Sequence, residues 1–166
     1  MGGKVAQLEW IASRKPTGLC GLVLVLAPEP PAPLIFPSDM AEQQLQGYDS
    51  TQNAEYVVRN VLSRKLSDED VALTVSDCFS GTRASTVAWP TYASREDVSG
   101  DMDISTLVLV GEFDVVEPVE RVKEPVVERI PGARLKVLDN IGHLLPLEVP
   151  TEVAAQVDCF MQSFCS

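Results

Sequence analysis

The chain has a single histidine, His143, in 166 residues, and only 13 Lys and Arg against 24 Asp and Glu. The formal net charge of −11 leaves no basic footprint to replace phosphate counterions, which excludes a nucleic-acid binder. It also disfavours docking on anionic lipid, so no membrane partner is expected. With one histidine and no Cys-x-x-Cys pair, a zinc site would need sulfur or carboxylate for its other ligands. No cluster offers them, and neither metal nor cofactor is expected. The four cysteines, Cys20, Cys78, Cys159 and Cys165, are irregularly spaced and read as reduced thiols of a cytoplasmic protein. The longest dense apolar run, Leu22 to Ala27, is far too short to span a membrane. Met1-Gly2-Gly3-Lys4 leads into an amphipathic stretch, not the apolar core of a signal peptide.

What is present is a globular composition, 45% hydrophobic and 22% charged, in a length that suggests about one domain. Residues 2 to 13 read as a helix, with Val5, Leu8, Ile11 and Ala12 at helical spacing and Pro16 and Gly18 ending it. Gly21 to Ala27 is a continuous apolar run, the pattern of a strand covered on both faces in a parallel sheet. Four prolines between Pro28 and Pro33 then exclude helix and central strand. From Ser38 to about Asp103 the chain reads as polar and helical. A helix is expected from Ser38 through Gln46. Another runs from Asn53 to Leu62, with Tyr56, Val57, Val61 and Leu62 on one side. A third opens at Ser67-Asp68-Glu69-Asp70 and carries Val71, Val75 and Cys78. The last third alternates: strand Thr106 to Val110, helix Pro118 to Ile130, strand Ala133 to Leu138, and helix Thr151 to Phe164, capped by Thr151. The second of these strands alternates more and belongs nearer a sheet edge. The whole is an α/β pattern with helices on a parallel sheet.

His143 lies in Asn140-Ile141-Gly142-His143-Leu144-Leu145-Pro146, after a strand and before a helix. Loops at the carboxyl ends of strands are where α/β folds place their sites. A plain turn histidine is the bland alternative. Asp114 follows the preceding strand in Gly111-Glu112-Phe113-Asp114. A carboxylate there could accept the Nδ1 proton of His143 and fix its tautomer. It could equally make an Asx turn or cap the helix near Pro118, and Glu112 competes for the acid role.

These residues carry a resemblance. Thr106 to Asp114, Val119 to Gly132 and Gly142-His143-Leu144-Leu145-Pro146-Leu147-Glu148 resemble the C-terminal end of an α/β-hydrolase of the esterase, lactonase and C–C hydrolase superfamily. The family order Ser…Asp…His implies Asp114 as orienting acid and His143 as general base. The start of the chain resembles the residues just after the family's Gly-x-Ser-x-Gly elbow. By that resemblance Met1 supplies an oxyanion N–H, and the nucleophilic serine is missing. Gly18-Leu19-Cys20-Gly21 is a near miss that precedes a strand instead of following one.

The fold expected is therefore a truncated α/β-hydrolase, with about three parallel strands, flanking helices and a helical cap insert. Residues 1–27 form the helix and strand after the elbow, 28–103 the cap, and 104–166 the C-terminal core. Trp89 and Tyr92 are expected in the substrate pocket, in a segment that Pro90 keeps irregular, with Phe36, Tyr56 and Phe79 as further candidates. Ordinary core packing is the alternative for each. The function expected is the C-terminal portion of a Ser-His-Asp hydrolase for small apolar ester or lactone-like substrates, inactive without its serine. The alternative is a non-catalytic small-molecule binding or interaction protein on the same fold. A haloperoxidase-like activity is not separable from the first reading by sequence. Loss of a neighbouring strand would expose a sheet edge and favour a homo-oligomer.

Overall fold

The computed structural model describes residues 2–13, 18–26, 32–63, 65–98 and 102–164. Three parallel strands, β1 (Leu22–Val25), β2 (Thr106–Gly111) and β3 (Arg134–Leu138), form one sheet in the order β1-β2-β3. Leu22 is in register with Thr106, and Leu107 with Arg134. β2 is central, and every one of its residues is buried. Its alternate side chains enter two different cores. Val108 and Val110 join Trp10, Leu24, Met102, Ile104, Val122, Val126 and Ile130 on one face. Leu107 and Leu109 join Leu138, Ile141, Leu145 and Phe160 on the other. A strand with period-two side chains can read as a solid apolar run only when both faces are covered.

β3 is an edge, as its alternation predicts. Its Arg134 and Lys136 occupy the face on which Leu107 and Leu109 are buried. Arg134 is accommodated there because its guanidinium lies 4.7 Å over the Phe160 ring and donates to Ser163 Oγ at 3.0 Å. β1 is the other edge among the described residues. Only Leu24 is fully buried in it, yet Leu22 and Leu24 pack into one core and Val23 and Val25 against the other, so both faces are covered as expected, though less completely than in β2. The strand also stops earlier than expected, where Leu26 turns to a left-handed φ of 61°.

The helices flank this sheet. α1 (Gly2–Ala12) and α6 (Val119–Val122) pack on the face of Val108, and α8 (Pro150–Gln162) packs on the face of Leu109 through Phe160. Of the apolar residues at helical spacing in α1, Ile11 packs against the core but Val5 and Leu8 do not. Val5 is 59% and Leu8 45% exposed, while Lys4, Gln7 and Trp10 are buried. Lys4 points inward because Nζ donates to the carbonyls of Ser94 at 2.7 Å and Ala32 at 3.0 Å, which helps to offset the cost of burying its charge. α6 runs into a π-helical turn over Lys123–Val127, ended by the Glu128 N–H bonding Lys123 O at 3.0 Å. Pro125 in that turn has no N–H for the regular ladder, which accounts for the change. Thr151 is not the cap of α8. It stands inside the first turn, behind Pro150 at the first helical position.

Between β1 and β2 lies a helical insert: α2 (Ser38–Gln46), α3 (Thr51–Val57) with a π-helical continuation Val58–Leu62, α4 (Asp68–Cys78) and α5 (Arg83–Thr91). Its own core is small, Ala54, Val58, Val71 and Val75, with Tyr48, Leu62, Leu66 and, from the histidine loop, Leu144 packed against it. The side of α3 that packs is thus Ala54 and Val58, whereas Tyr56 and Val61 are exposed. Ser67 caps α4, accepting from the Asp70 N–H at 3.1 Å. Trp89 and Pro90 are inside α5, not in an irregular segment. Pro90 sits one residue from the end of the helix, where its missing N–H costs a single bond. Cys20, Cys78 and Cys159 are free thiols, and Cys165 lies outside the described residues. Among the described residues no helix is long and apolar enough to cross a membrane. None of them form a group of three His, Cys, Asp or Glu able to hold a metal ion.

Candidate functional site

Two loops leave adjacent parallel strands at their carboxyl ends, one after Gly111 of β2 and one after Leu138 of β3. They are stitched together by backbone. Glu112 N–H donates to Leu138 O at 2.9 Å and Phe113 N–H to Ile141 O at 2.9 Å. The approach is so close that a Cβ on Gly111 would overlap the carbonyls of Ile141 and Gly142, so only glycine fits there. The Glu112 carboxylate adds a third link, accepting from the Asn140 N–H at 2.8 Å. That contact employs Glu112 in holding the two loops together. Asn140 itself takes φ 60°, a conformation asparagine tolerates well.

This stitching brings Asp114 to His143. Asp114 Oδ2 lies 2.8 Å from His143 Nδ1, with the carboxylate side chain 1% and the imidazole 15% exposed. The other oxygen, Oδ1, accepts the N–H groups of Val116 and Glu117, each at 2.9 Å. Asp114 therefore makes the Asx-type turn and the histidine contact at once, one with each oxygen. With Oδ1 held by two backbone donors, Oδ2 is aimed at Nδ1. The carboxylate favours the tautomer that carries its proton on Nδ1, which frees Nε2 to accept one.

His143 is held from the other side as well. Its backbone N–H donates to Leu62 O at 2.7 Å, so the π-helical turn after α3, in the middle of the helical insert, fixes the histidine loop. Gly142 donates to Glu148 Oε2 at 3.2 Å. A Cβ on Gly142 would meet Leu62 O at 2.9 Å, so the docking of insert on loop depends on glycine. The imidazole borders a cavity of about 400 Å³, also lined by Gly2, Gly3 and Ala6 of α1 and by residues 23–26 at the end of β1. Among the described residues no group hydrogen-bonds Nε2. Among the described residues the rest of the lining is glycine, alanine, valine and leucine, whose backbone polar groups share the wall with their side chains.

Of the other residues singled out by sequence, Met1 lies outside the described residues. Trp89 meets Phe36 edge to face, ring centroids 6.4 Å apart. Tyr92 is exposed. Neither Trp89 nor Tyr92 lines the cavity at His143. Tyr56 and Phe79 are exposed. Three participants escaped the sequence reading: the Leu62 carbonyl, the Glu148 carboxylate as a loop clamp, and Glu117. Glu117 is buried beside the pair. Its Oε1 lies 3.7 Å from the Arg121 guanidinium, and its Oε2 has no hydrogen-bond partner. Burial pushes this carboxyl above the ordinary carboxylate value. Arg121 pulls it back, the Asp114 charge pushes it up, and His143 pulls it back in turn. The Asp114-x-x-Glu117-Pro118 spacing was the available signal, since it is that of a carboxylate capping a turn before a helix.

No family model matches the chain, and no curated protein matches it. Solved structures do. An esterase from Exiguobacterium antarcticum superposes with a TM-score of 0.78 at 18% identity, over 96% of this chain and 63% of its own. The α/β-hydrolase fold is the fold of this chain. A hydrolase from Oleispira antarctica shares it with a TM-score of 0.76 at 18% identity, over 97% of this chain and 62% of its own. Est816, an N-acyl homoserine lactone degrading enzyme, shares it with a TM-score of 0.68 at 22% identity, over 96% and 64%. The chain thus spans a little under two thirds of the length of these three α/β-hydrolase structures.

Proposed function

We propose that this chain carries the acid–base half of a Ser-His-Asp hydrolase for small apolar ester or lactone-like substrates. The observation that carries the proposal is the buried 2.8 Å contact between Asp114 and His143 at the carboxyl ends of adjacent strands, beside a cavity of about 400 Å³. In this reading His143 Nε2 takes the proton of a nucleophilic hydroxyl as it attacks the acyl carbon, and returns it to the leaving alkoxide. Asp114 holds the ring and balances the imidazolium charge. The small and aliphatic residues of α1 and β1 that line the cavity, with their backbone polar groups, suit a small uncharged ester or lactone, in keeping with neighbours described as esterases and as a lactone-degrading enzyme. The helical insert is the cap in this reading.

No serine of the 166 residues stands in Gly-x-Ser-x-Gly. The 166 residues alone are therefore proposed to be inactive, with the nucleophile supplied by sequence outside them. Loss of a triad nucleophile costs several orders of magnitude in rate. The test is hydrolysis of p-nitrophenyl acetate and butyrate by this chain and by the chain extended upstream. Activity in the extended protein alone, lost in H143A, supports the proposal. A folded, inactive extended protein moves the reading to a non-catalytic binding protein. Robust activity of the 166 residues would overturn the need for an outside serine.

Self-association is part of the same reading. Leu22-Val23-Leu24-Val25 presents an apolar edge without charge, against which a second copy would pair. Sedimentation at increasing concentration tests it, and a constant monomer mass would remove it.

A further inference from the structure

Glu117 is the buried ionisable group that the acid–base pair leaves unexplained. Its backbone N–H is one of the two donors on Asp114 Oδ1, at 2.9 Å. Its side chain is 5% exposed, and its nearest cation, Arg121, is 46% exposed at 3.7 Å. That distance is too long for a hydrogen bond, so the pairing is a loose one. Its Oε2 is buried with no partner at all. A carboxyl that served only to cap a turn would not need to be buried, and one that served only to pair with Arg121 would lie out at the surface with it. Among the described residues, the charged groups that act on it are Arg121 from α6, Asp114 from the loop after β2 and His143 from the loop after β3.

We propose that Glu117 is a positioning residue of the Asp114–His143 pair: its backbone N–H fixes Asp114 Oδ1, and its buried carboxylate, with Oε2 unpartnered, places a second negative charge beside that pair. The physical reason is the low dielectric of the site, where a charge acts over a longer distance than in water. Asp114 alone holds the ring. Glu117 adds a second charge beside it, with Arg121 setting how much of that charge is felt. The inference needs the pair but not the proposed reaction, and its test uses no substrate.

The chain has one imidazole, so ring resonances in an NMR titration of the full 166 residues belong to His143 alone. Two variants separate charge from shape. E117Q keeps the shape and removes the charge; E117D keeps the charge and shortens the side chain. A charge role predicts that the ring titration moves to lower pH in E117Q, by roughly half a unit, and stays near the parent in E117D. A parent-like E117Q titration with a displaced E117D would overturn the proposal in favour of a packing role. Should E117Q fail to fold, the unsubstituted protein still decides. The Glu117 side-chain carboxyl 13C shift must show an inflection at the pH where the ring titrates. A featureless curve there would sink the coupling.

Discussion

The sheet and the helical insert are built on different principles. Around β2, both faces of a fully buried strand are covered by large aliphatic side chains. The insert has a core of one alanine and three valines, on which Leu144 of the histidine loop packs, and polar links add to that attachment. Lys4 grips the carbonyls of Ala32 and Ser94 at its two roots, and Leu62 O receives the His143 N–H at its middle. The lesson is a division of labour. Position of the acid and the histidine is a property of the sheet and its two stitched loops. The insert adds the Leu62 carbonyl and an apolar seat for Leu144 to the histidine loop, and its attachment is expected to be separable from the sheet.

The largest expected effect tests the sheet. Leu109 is wholly buried, and L109A is expected to lower unfolding free energy by about 2–5 kcal/mol in urea titrations. A second substitution addresses the polar grip on the insert. K4M leaves two carbonyls without a charged donor and is expected to cost about 1.5–3 kcal/mol. Hydrogen exchange should rise at residues 32–34 and 93–95 and stay slow in β2. Equal acceleration in β2 would mean that sheet and insert are one cooperative unit. The joint between them is probed by G142A. Its Cβ would press on Leu62 O, and a loss of about 1–3 kcal/mol is expected, with the His143 amide resonance displaced. On the insert's outer surface, L73A should change stability by less than about 0.5 kcal/mol, because Leu73 is 56% exposed. A cost matching L109A would show that the insert packs against something there.

A pH experiment sharpens the same contrast, because the raised carboxyl belongs to the sheet's loop. Glu117 holds its proton to higher pH in the folded than in the unfolded protein. Between the unfolded value, near 4.5, and the raised folded one, the native state binds more protons, so stability falls as pH rises through that window. E117Q should therefore gain in denaturation midpoint over the parent at neutral pH. The gain should vanish at pH 4 and below, where both states of the parent are protonated.

Much of the frame was legible in residue order. β2 shows as a solid apolar run because both its faces are buried, and β3 as an alternating one because it lies at an edge. Ser38–Gln46 and the Ser67-capped helix were readable from local chemistry. The meeting of a strand-end carboxylate with His143 was legible because parallel strands bring their carboxyl ends to one side, so two loops at successive strand ends must meet. What misled was the assumption that apolar side chains mark the inner face. α1 turns Val5 and Leu8 outward and buries Lys4, because the groups that accept its charge are carbonyls from a segment distant in sequence. The packed side of α3 is Ala54 and Val58 because these meet Val71 and Val75 of α4, a partner distant in sequence that the larger Tyr56 does not face.

By itself, then, the amino-acid sequence determined the kinds of element, their order, the parallel sheet and the proximity of one carboxylate to the only histidine. These follow from local periodicity, turn chemistry and chain connectivity, which are written in neighbouring residues. Only the tertiary structure decided that Glu112 links the loops while Asp114 reaches the ring. It alone decided that Leu62 and Glu148 hold the histidine loop, and that Glu117 is buried beside the pair. Each of these rests on a hydrogen bond or a loss of solvent between residues brought together by packing, and no local pattern encodes which of several nearby carboxylates will be the one deprived of water.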